Sequence, residues 1–231
     1  MNVTVLIPAH NEAERIGATV DAALGIEGVD RVLVIDDASG DATADLAAAA
    51  GAEVMRLLSN VGKGAALDEG LKRVRDNADI LLLLDGDLGA TAAQGALLLE
   101  PVLRGECDMT VAAFPRPAGK AGFGLVKGLA RLGIRVLGGG AGRTFAAMAP
   151  LSRQRAMTRA CWEQVTPFAF GYGVEVALTV RALRAGMRIV EVTTTMAHDA
   201  TGRDAAGFKH RGRQFVHVAR ALSRLAFERR H

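Results

Sequence analysis

"ILLLLDGDLG", Ile80 to Gly89, decides how the rest of the chain is read. Five apolar residues run straight into two aspartates that flank a glycine. A short unbroken apolar run ended by turn residues reads as a strand buried on both faces. Burying a carboxylate costs several kcal/mol unless it is paired or holds a metal. The aspartates therefore belong just beyond the strand's carboxyl end. There they either stop the strand or form part of a site, and the surrounding sequence bears on which.

Upstream, apolar strands alternate with helical patterns. "VTVLIPA" (Val3–Ala9) reads as a first buried strand. Asn11, with Glu14 three residues on, reads as the N-cap of a helix that carries Ile16, Val20, Ala23 and Leu24 on one face. "RVLVI" and "DATADLAAAA" form the next strand and helix, "AEVMRLL" and "AALDEGLKRVRD" the pair after, and "ILLLL" the fourth strand. Such alternation predicts right-handed βαβ units, a mostly parallel sheet and helices on both faces, the doubly wound Rossmann-like α/β class. Ligands of such sheets bind beyond the carboxyl ends of the strands. Four consecutive strand ends carry "PAHNE", "DDASGDAT", "SNVGKG" and "DGDLG", which predicts one shared site.

The residue types at these ends suggest the chemistry. Asp85-Gly86-Asp87 suits a hard divalent cation bound through oxygen, with the glycine allowing close backbone approach. A strand-ending turn of Asp and Gly explains it equally well. In "NVGKG" (Asn60–Gly64) two glycines let the backbone bend and Lys63 brings a positive charge to a helix start, where anions are favoured. The segment is not a Walker loop. Asp36 and Asp37 end the second strand, where a carboxylate can accept hydrogen bonds from ribose hydroxyls or a base N–H.

Composition sets the remaining bounds. The 231 residues are half hydrophobic, with a mean hydropathy of +0.20, enough for a sizeable core. Neither a basic signal-type leader nor an apolar run of about 20 residues is present, so the sequence predicts a cytoplasmic protein, with any peripheral contact on the inner face of the cell membrane. Cys107 and Cys161 are isolated and read as buried, reduced thiols. Net charge is +3, but the segment from Arg203 onward holds eight Lys/Arg against two Asp/Glu. A basic C-terminal end on a mildly acidic body points to an anionic partner there; nothing points to nucleic acid. The second half is less regular. "FGLVKGLARLGIRVL" (Phe123–Leu137) and "VEVALTVRALRAG" read as helices, "MRIVEVTTT" as a strand, and about 208–229 as a long helix. On that last helix Arg213, His217, Arg220 and Arg224 form one stripe, opposite Phe215, Val218, Ala219, Leu222, Leu225 and Ala226. The apolar side can pack on the body or lie on an anionic membrane, with Phe123–Leu137 as a second contact.

"IPAHNE", "VIDDASGDAT", "NVGKG" and "LLDGDLG", in this order and spacing, resemble family 2 glycosyltransferases of the GT-A fold over roughly the first 115 residues. Ala38 departs from that family's usual Gly. The resemblance implies a GT-A fold, a nucleotide-sugar donor, and Mn2+ or Mg2+ as cofactor. It implies Pro8, Ala9, Glu12, Asp37, Lys63 and Asp85 as donor-binding residues, with Asp87 both catalytic and a metal ligand. "PLSRQRA" looks like the acceptor-side segment that often reads L-S-G-x-R-A, with Arg153 in place of the Gly; Ser152 and Arg155 follow as acceptor-binding residues. "FGYGVEVALTVRALRAGMRIVEV" looks like glucosyl-3-phosphoglycerate synthases, which makes Glu175 a second catalytic candidate, although an acid also suits the first turn of a helix. His198, after the last strand, is implied as the second metal ligand. Arg203 and Arg211 follow as donor-phosphate contacts.

The chain is thus expected to be a single GT-A domain, 1–115 serving the donor and 116–231 the acceptor, ending in a basic amphipathic helix. The expected partners are the nucleotide-sugar and a small phosphorylated or polyprenyl-phosphate acceptor, with peripheral membrane contact and a homodimer left open. Two other readings compete: a catalytically silent glycosyltransferase-like scaffold at a membrane, and a sugar nucleotidyltransferase. The latter should carry a Gly-rich, Arg-containing loop after strand one, where this chain has "PAHNE".

Overall fold

The structure, a computed structural model, describes residues 1–114, 124–168, 173–196 and 205–228. Among the described residues, seven strands form one sheet in the order β3-β2-β1-β4-β6-β5-β7. β1 (Val3–Ala9) pairs in parallel with both β2 (Arg31–Asp36) and β4 (Ile80–Leu83), and β2 pairs in parallel with β3 (Glu53–Arg56). The chain leaves β1 towards β2 and β3, then returns to place β4 on β1's other side. The crevice between the carboxyl ends of β1 and β4 is therefore where strand order reverses.

The leucines of the opening stretch are unbroken because both faces of β4 are covered. Ile80, Leu82 and Leu84 face a core built with α1 (Ile16–Leu24) and α4 (Gly95–Leu103). Leu81 and Leu83 face the opposite core, with Leu67 and Leu71 of α3 (Lys63–Val74), Trp162 of α7 (Arg159–Val165) and Leu178 of α8 (Val174–Arg184). All five residues are at most 3% exposed, and each buried Leu or Ile side chain is worth about 1.5–3 kcal/mol. Two further helices are α2 (Thr43–Ala49), between β2 and β3, and α6 (Gly139–Thr144), ahead of β6.

Beyond β4 the chain adds strands that the sequence pattern did not reveal. β5 (Met109–Ala113) and β6 (Arg155–Thr158) are too short and mixed to show a period. β6 runs antiparallel to both neighbours, with Leu83 opposite Arg155, while β7 (Ile189–Thr193) returns parallel to β5. This reversal sets the site. It brings the amino end of β6, and with it residues 152–154, beside the carboxyl end of β4.

Two local expectations need correction. Asn11 does not cap α1: the helix begins at Ile16 without a side-chain cap. Asn11 instead takes a left-handed backbone (φ 58°), and its Oδ1 accepts from the Gly40 N–H at 2.8 Å, tying the β1 loop to the β2 loop. In the last helix, α9 (Ala205–Phe227), the buried stripe is Val218, Ala221, Leu222 and Leu225, which pack on α5 (Gly124–Leu137) and α8. Phe215 and Ala226, expected on that face, are exposed. The stripe is spaced i, i+3, i+4, i+7 and is used by the body, as are Val126, Ala130 and Ile134 of α5. Among the described residues no helix is long and apolar enough to cross a membrane.

Candidate active site

The strand ends converge as their sequences predicted. Pro8, Ala9, Glu12, Asp37, Lys63, Asp85 and Asp87 all line one cavity, joined by His10, Gly86 and Arg153. Pro8 and Ala9 end β1, Asp37 follows β2, Lys63 opens α3, and Asp85 and Asp87 follow β4.

Asp37 is 4% exposed. Its Oδ1 accepts from the Val61 N–H at 2.7 Å and its Oδ2 from the Gly62 N–H at 2.8 Å, so it clamps the "NVGKG" loop to the end of β2. Gly62 is required there because φ is +83°. The adjacent Ala38 has φ +58°, a left-handed backbone that disfavours a Cβ. His10 donates through Nδ1 to the Asp37 carbonyl at 2.9 Å.

Asp85 is 6% exposed and collects three donors. Lys63 Nζ lies 2.6 Å from Oδ1, Gln154 Nε2 2.6 Å from Oδ2, and Arg153 Nε 2.8 Å from Oδ2. The first carboxylate of the opening stretch is thus paired with two cations and an amide, which come from the start of α3 and from the loop before β6. Asp87 is less buried, and its segment is fixed through the backbone: Arg15 Nη1 donates to the Asp87 carbonyl at 3.2 Å, and Thr19 Oγ1 to the Gly86 carbonyl at 2.9 Å. A Cβ at Gly86 would stand 3.2 Å from the Ala9 Cβ and 3.3 Å from the Glu12 Cγ, so the glycine lets β4's end approach β1. The two aspartates differ in their settings: Asp85 is held by three side chains, and Asp87 lines the cavity on a braced turn.

Residues 152–155 divide between the cavity and the interior. Arg155, expected at the acceptor side, is instead completely buried. Its guanidinium donates to the carbonyls of Ser152 (3.0 Å) and Glu175 (2.9 Å) and to Thr179 Oγ1 (2.9 Å). Burial pushes its pKa down to about 10, which leaves it charged at neutral pH. Arg155 fastens the 152–154 loop to the first turn of α8 and presents nothing to a ligand. Ser152 is 5% exposed and its Oγ has no hydrogen-bond partner among the described residues. Glu175 is also 5% exposed, in the first turn of α8. His198 and Arg203 lie outside the described residues, as does the side chain of Arg211. Arg153 lines the cavity and Gln154 backs it through Asp85; no local pattern predicts either contact, and the antiparallel β6 puts both residues there.

A sheet in this order, with a polar cavity at its switch point, defines the class as an α/β protein of the GT-A type. The chain belongs to the family 2 glycosyl transferases, which it matches over residues 4–138. It is similar to glycosyltransferase AglJ of Haloferax volcanii, at 33% identity over 87% of this chain and 65% of that protein. It is similar to an undecaprenyl-phosphate mannosyltransferase of Micrococcus luteus, at 28% identity over 95% of this chain and 93% of the relative. Its fold superposes on the Mycobacterium tuberculosis glucosyl-3-phosphoglycerate synthase solved with Mn2+, uridine diphosphate and phosphoglyceric acid, with a TM-score of 0.80, 26% identity, and 98% of this chain and 78% of that one covered. The chain therefore spans just under two thirds of the AglJ length.

Proposed function

We propose that this chain transfers a sugar from a nucleoside-diphosphate sugar to a phosphorylated acceptor, with a divalent metal at the donor diphosphate. The observation that carries this reading is the convergence of seven sequence-predicted residues on one cavity at the strand-order reversal. That cavity measures about 130 Å³, below the roughly 300–1,000 Å³ of complete small-molecule sites, so a nucleoside diphosphate would extend from it along the strand ends.

The donor set suits Mn2+ or Mg2+. Among the described residues no three His, Cys, Asp or Glu side chains gather as a protein-only metal cage. Asp87 on its braced turn matches the other mode, in which one or two carboxylates hold the cation and phosphate oxygens and water complete the shell. His198 is the proposed second ligand. The bound metal would stabilise charge on the departing nucleoside diphosphate.

The chain's own residues orient the donor. Asp37 would meet the base or ribose with the lone pairs its two backbone bonds leave open, and Pro8, Ala9 and Glu12 would shape the edge of that pocket. Lys63 and Asp85 would face the nucleotide as a pair, so the lysine's charge stays balanced until phosphate arrives. Arg203 and Arg211 would neutralise the leaving diphosphate. Glu175 is the candidate for the acceptor side; an ionised acceptor phosphate needs no base, whereas a hydroxyl does. The acceptor classes follow from relatives whose names specify undecaprenyl phosphate and phosphoglycerate. The two halves, 1–115 and 116–231, would serve donor and acceptor as one domain.

The test is release of nucleoside diphosphate by purified protein from a panel of nucleotide-sugars with Mn2+, with 3-phosphoglycerate or a polyprenyl phosphate added. Acceptor-stimulated release with one donor supports the proposal. Metal-dependent nucleotide binding without transfer to any acceptor would favour a silent scaffold.

A further inference from the structure

A second cavity, of about 610 Å³, lies between α3, the segment before α8, α8 and α9, and shares no lining residue with the first. Its volume falls within the range of small-molecule sites. The floor is apolar: Phe168, Ala177, Ala221 and Leu225 line it, each at most 6% exposed. One end is closed by Arg181, whose Nη2 lies 2.6 Å from Glu228 Oε1 and whose Nη1 donates to the Val165 carbonyl at 2.9 Å. A side wall is fixed by Asp68, whose Oδ1 accepts from the Phe168 N–H at 2.9 Å.

Over this floor stand Arg220 and Arg224, one turn apart on α9, with His217 one turn before. Both arginines are exposed, and neither side chain forms a hydrogen bond or ion pair among the described residues. Like charges at i, i+4 repel slightly, so fold stability gives no reason for this placement. Two guanidinium forks side by side form a receptor for a phosphoryl group. The lining acids have partners of their own: Glu228 is paired with Arg181, and Asp68 accepts from the Phe168 N–H.

We propose that this cavity is a second binding site, separate from the donor pocket, for an organic phosphate whose head meets Arg220 and Arg224 and whose apolar body covers Phe168, Ala221 and Leu225. Phenyl phosphate is the probe, with inorganic phosphate as the control that lacks the apolar body. Titration of the full chain by calorimetry, with and without saturating uridine diphosphate, should show saturable binding of phenyl phosphate that uridine diphosphate does not displace. Binding should be about tenfold tighter than for inorganic phosphate, a difference of about 1.4 kcal/mol. The Arg220→Ala/Arg224→Ala variant changes exposed side chains only and should fold normally by circular dichroism while losing at least about tenfold in affinity. Absence of saturable binding, equal binding by the double variant, or displacement by uridine diphosphate would each overturn the proposal. Equal affinity for phenyl and inorganic phosphate would overturn the apolar half of it.

Discussion

Replacing Asp85 by alanine tests how the site is held together. Three donors converge on its carboxylate, and their settings differ. Arg153 is 38% exposed, so its pair behaves as a surface ion pair worth at most about 1 kcal/mol. Lys63, at 26% exposure and 2.6 Å, forms a better-sheltered charge-assisted bond of about 1.5–3 kcal/mol. Gln154 is fully buried, and its Oε1 already lacks a partner among the described residues. Removing Asp85 would leave that amide wholly unsatisfied, at a cost of about 1–3 kcal/mol. Relief of the aspartate's own burial penalty offsets part of the sum. The net expectation is a loss of about 2–4 kcal/mol, or about 4–16 °C in Tm for a chain of this size. Urea unfolding of Asp85→Ala and of Asp85→Ala/Gln154→Leu measures it. The double variant should recover part of the loss, because no unpaired amide remains. A loss below about 0.5 kcal/mol, or a double variant less stable than the single, would refute the view that the donors of Asp85 set its energetics.

Ala38→Gly should stabilise the fold by about 1 kcal/mol in urea unfolding, since a left-handed φ of +58° strains any Cβ. The hydrogen bond from Arg188 holds the Asp108 carboxyl below its ordinary 3.8. A depressed carboxylate contributes stability above the unfolded value that is lost as pH falls through the folded one. Urea midpoints of wild type should thus fall below about pH 4, and Asp108→Asn should flatten that acid limb. Burial pushes the Cys161 thiol up to about 12, so native protein at pH 8 should resist iodoacetamide at this residue until denatured, as peptide mapping can show.

The first half of the fold was legible because parallel strands buried on both faces write themselves as unbroken apolar runs. Val3–Ala9 and Ile80–Leu83 need no partner to be recognised. β5 and β6 were not legible. A four-residue antiparallel strand has no period to read, and its partners β4 and β5 lie about 75 and 45 residues away. The strand-end cavity was legible for the same reason as the parallel sheet: alternation places all the strand ends on one edge. The role of Arg155 was not, because its surroundings come from α8, beyond any local pattern. In the sequence Arg153 stands out only as a departure from a glycine. Its place against Asp85 follows from the reversed direction of β6. Asn11 looked like a cap because the local pattern fits one, yet its side chain serves a contact with Gly40, 29 residues on.

The central claim is that Asp87 holds the donor's metal while Asp85 and Asp37 hold the pocket's shape. Calorimetric titration of uridine diphosphate into wild type and Asp87→Asn, each with Mn2+ and with chelator, tests it most directly. The account predicts that wild type binds with Mn2+ far more tightly than with chelator, and that Asp87→Asn, folded and as stable as wild type, loses that metal dependence. An Asp87→Asn variant that binds uridine diphosphate and Mn2+ as wild type does would contradict it.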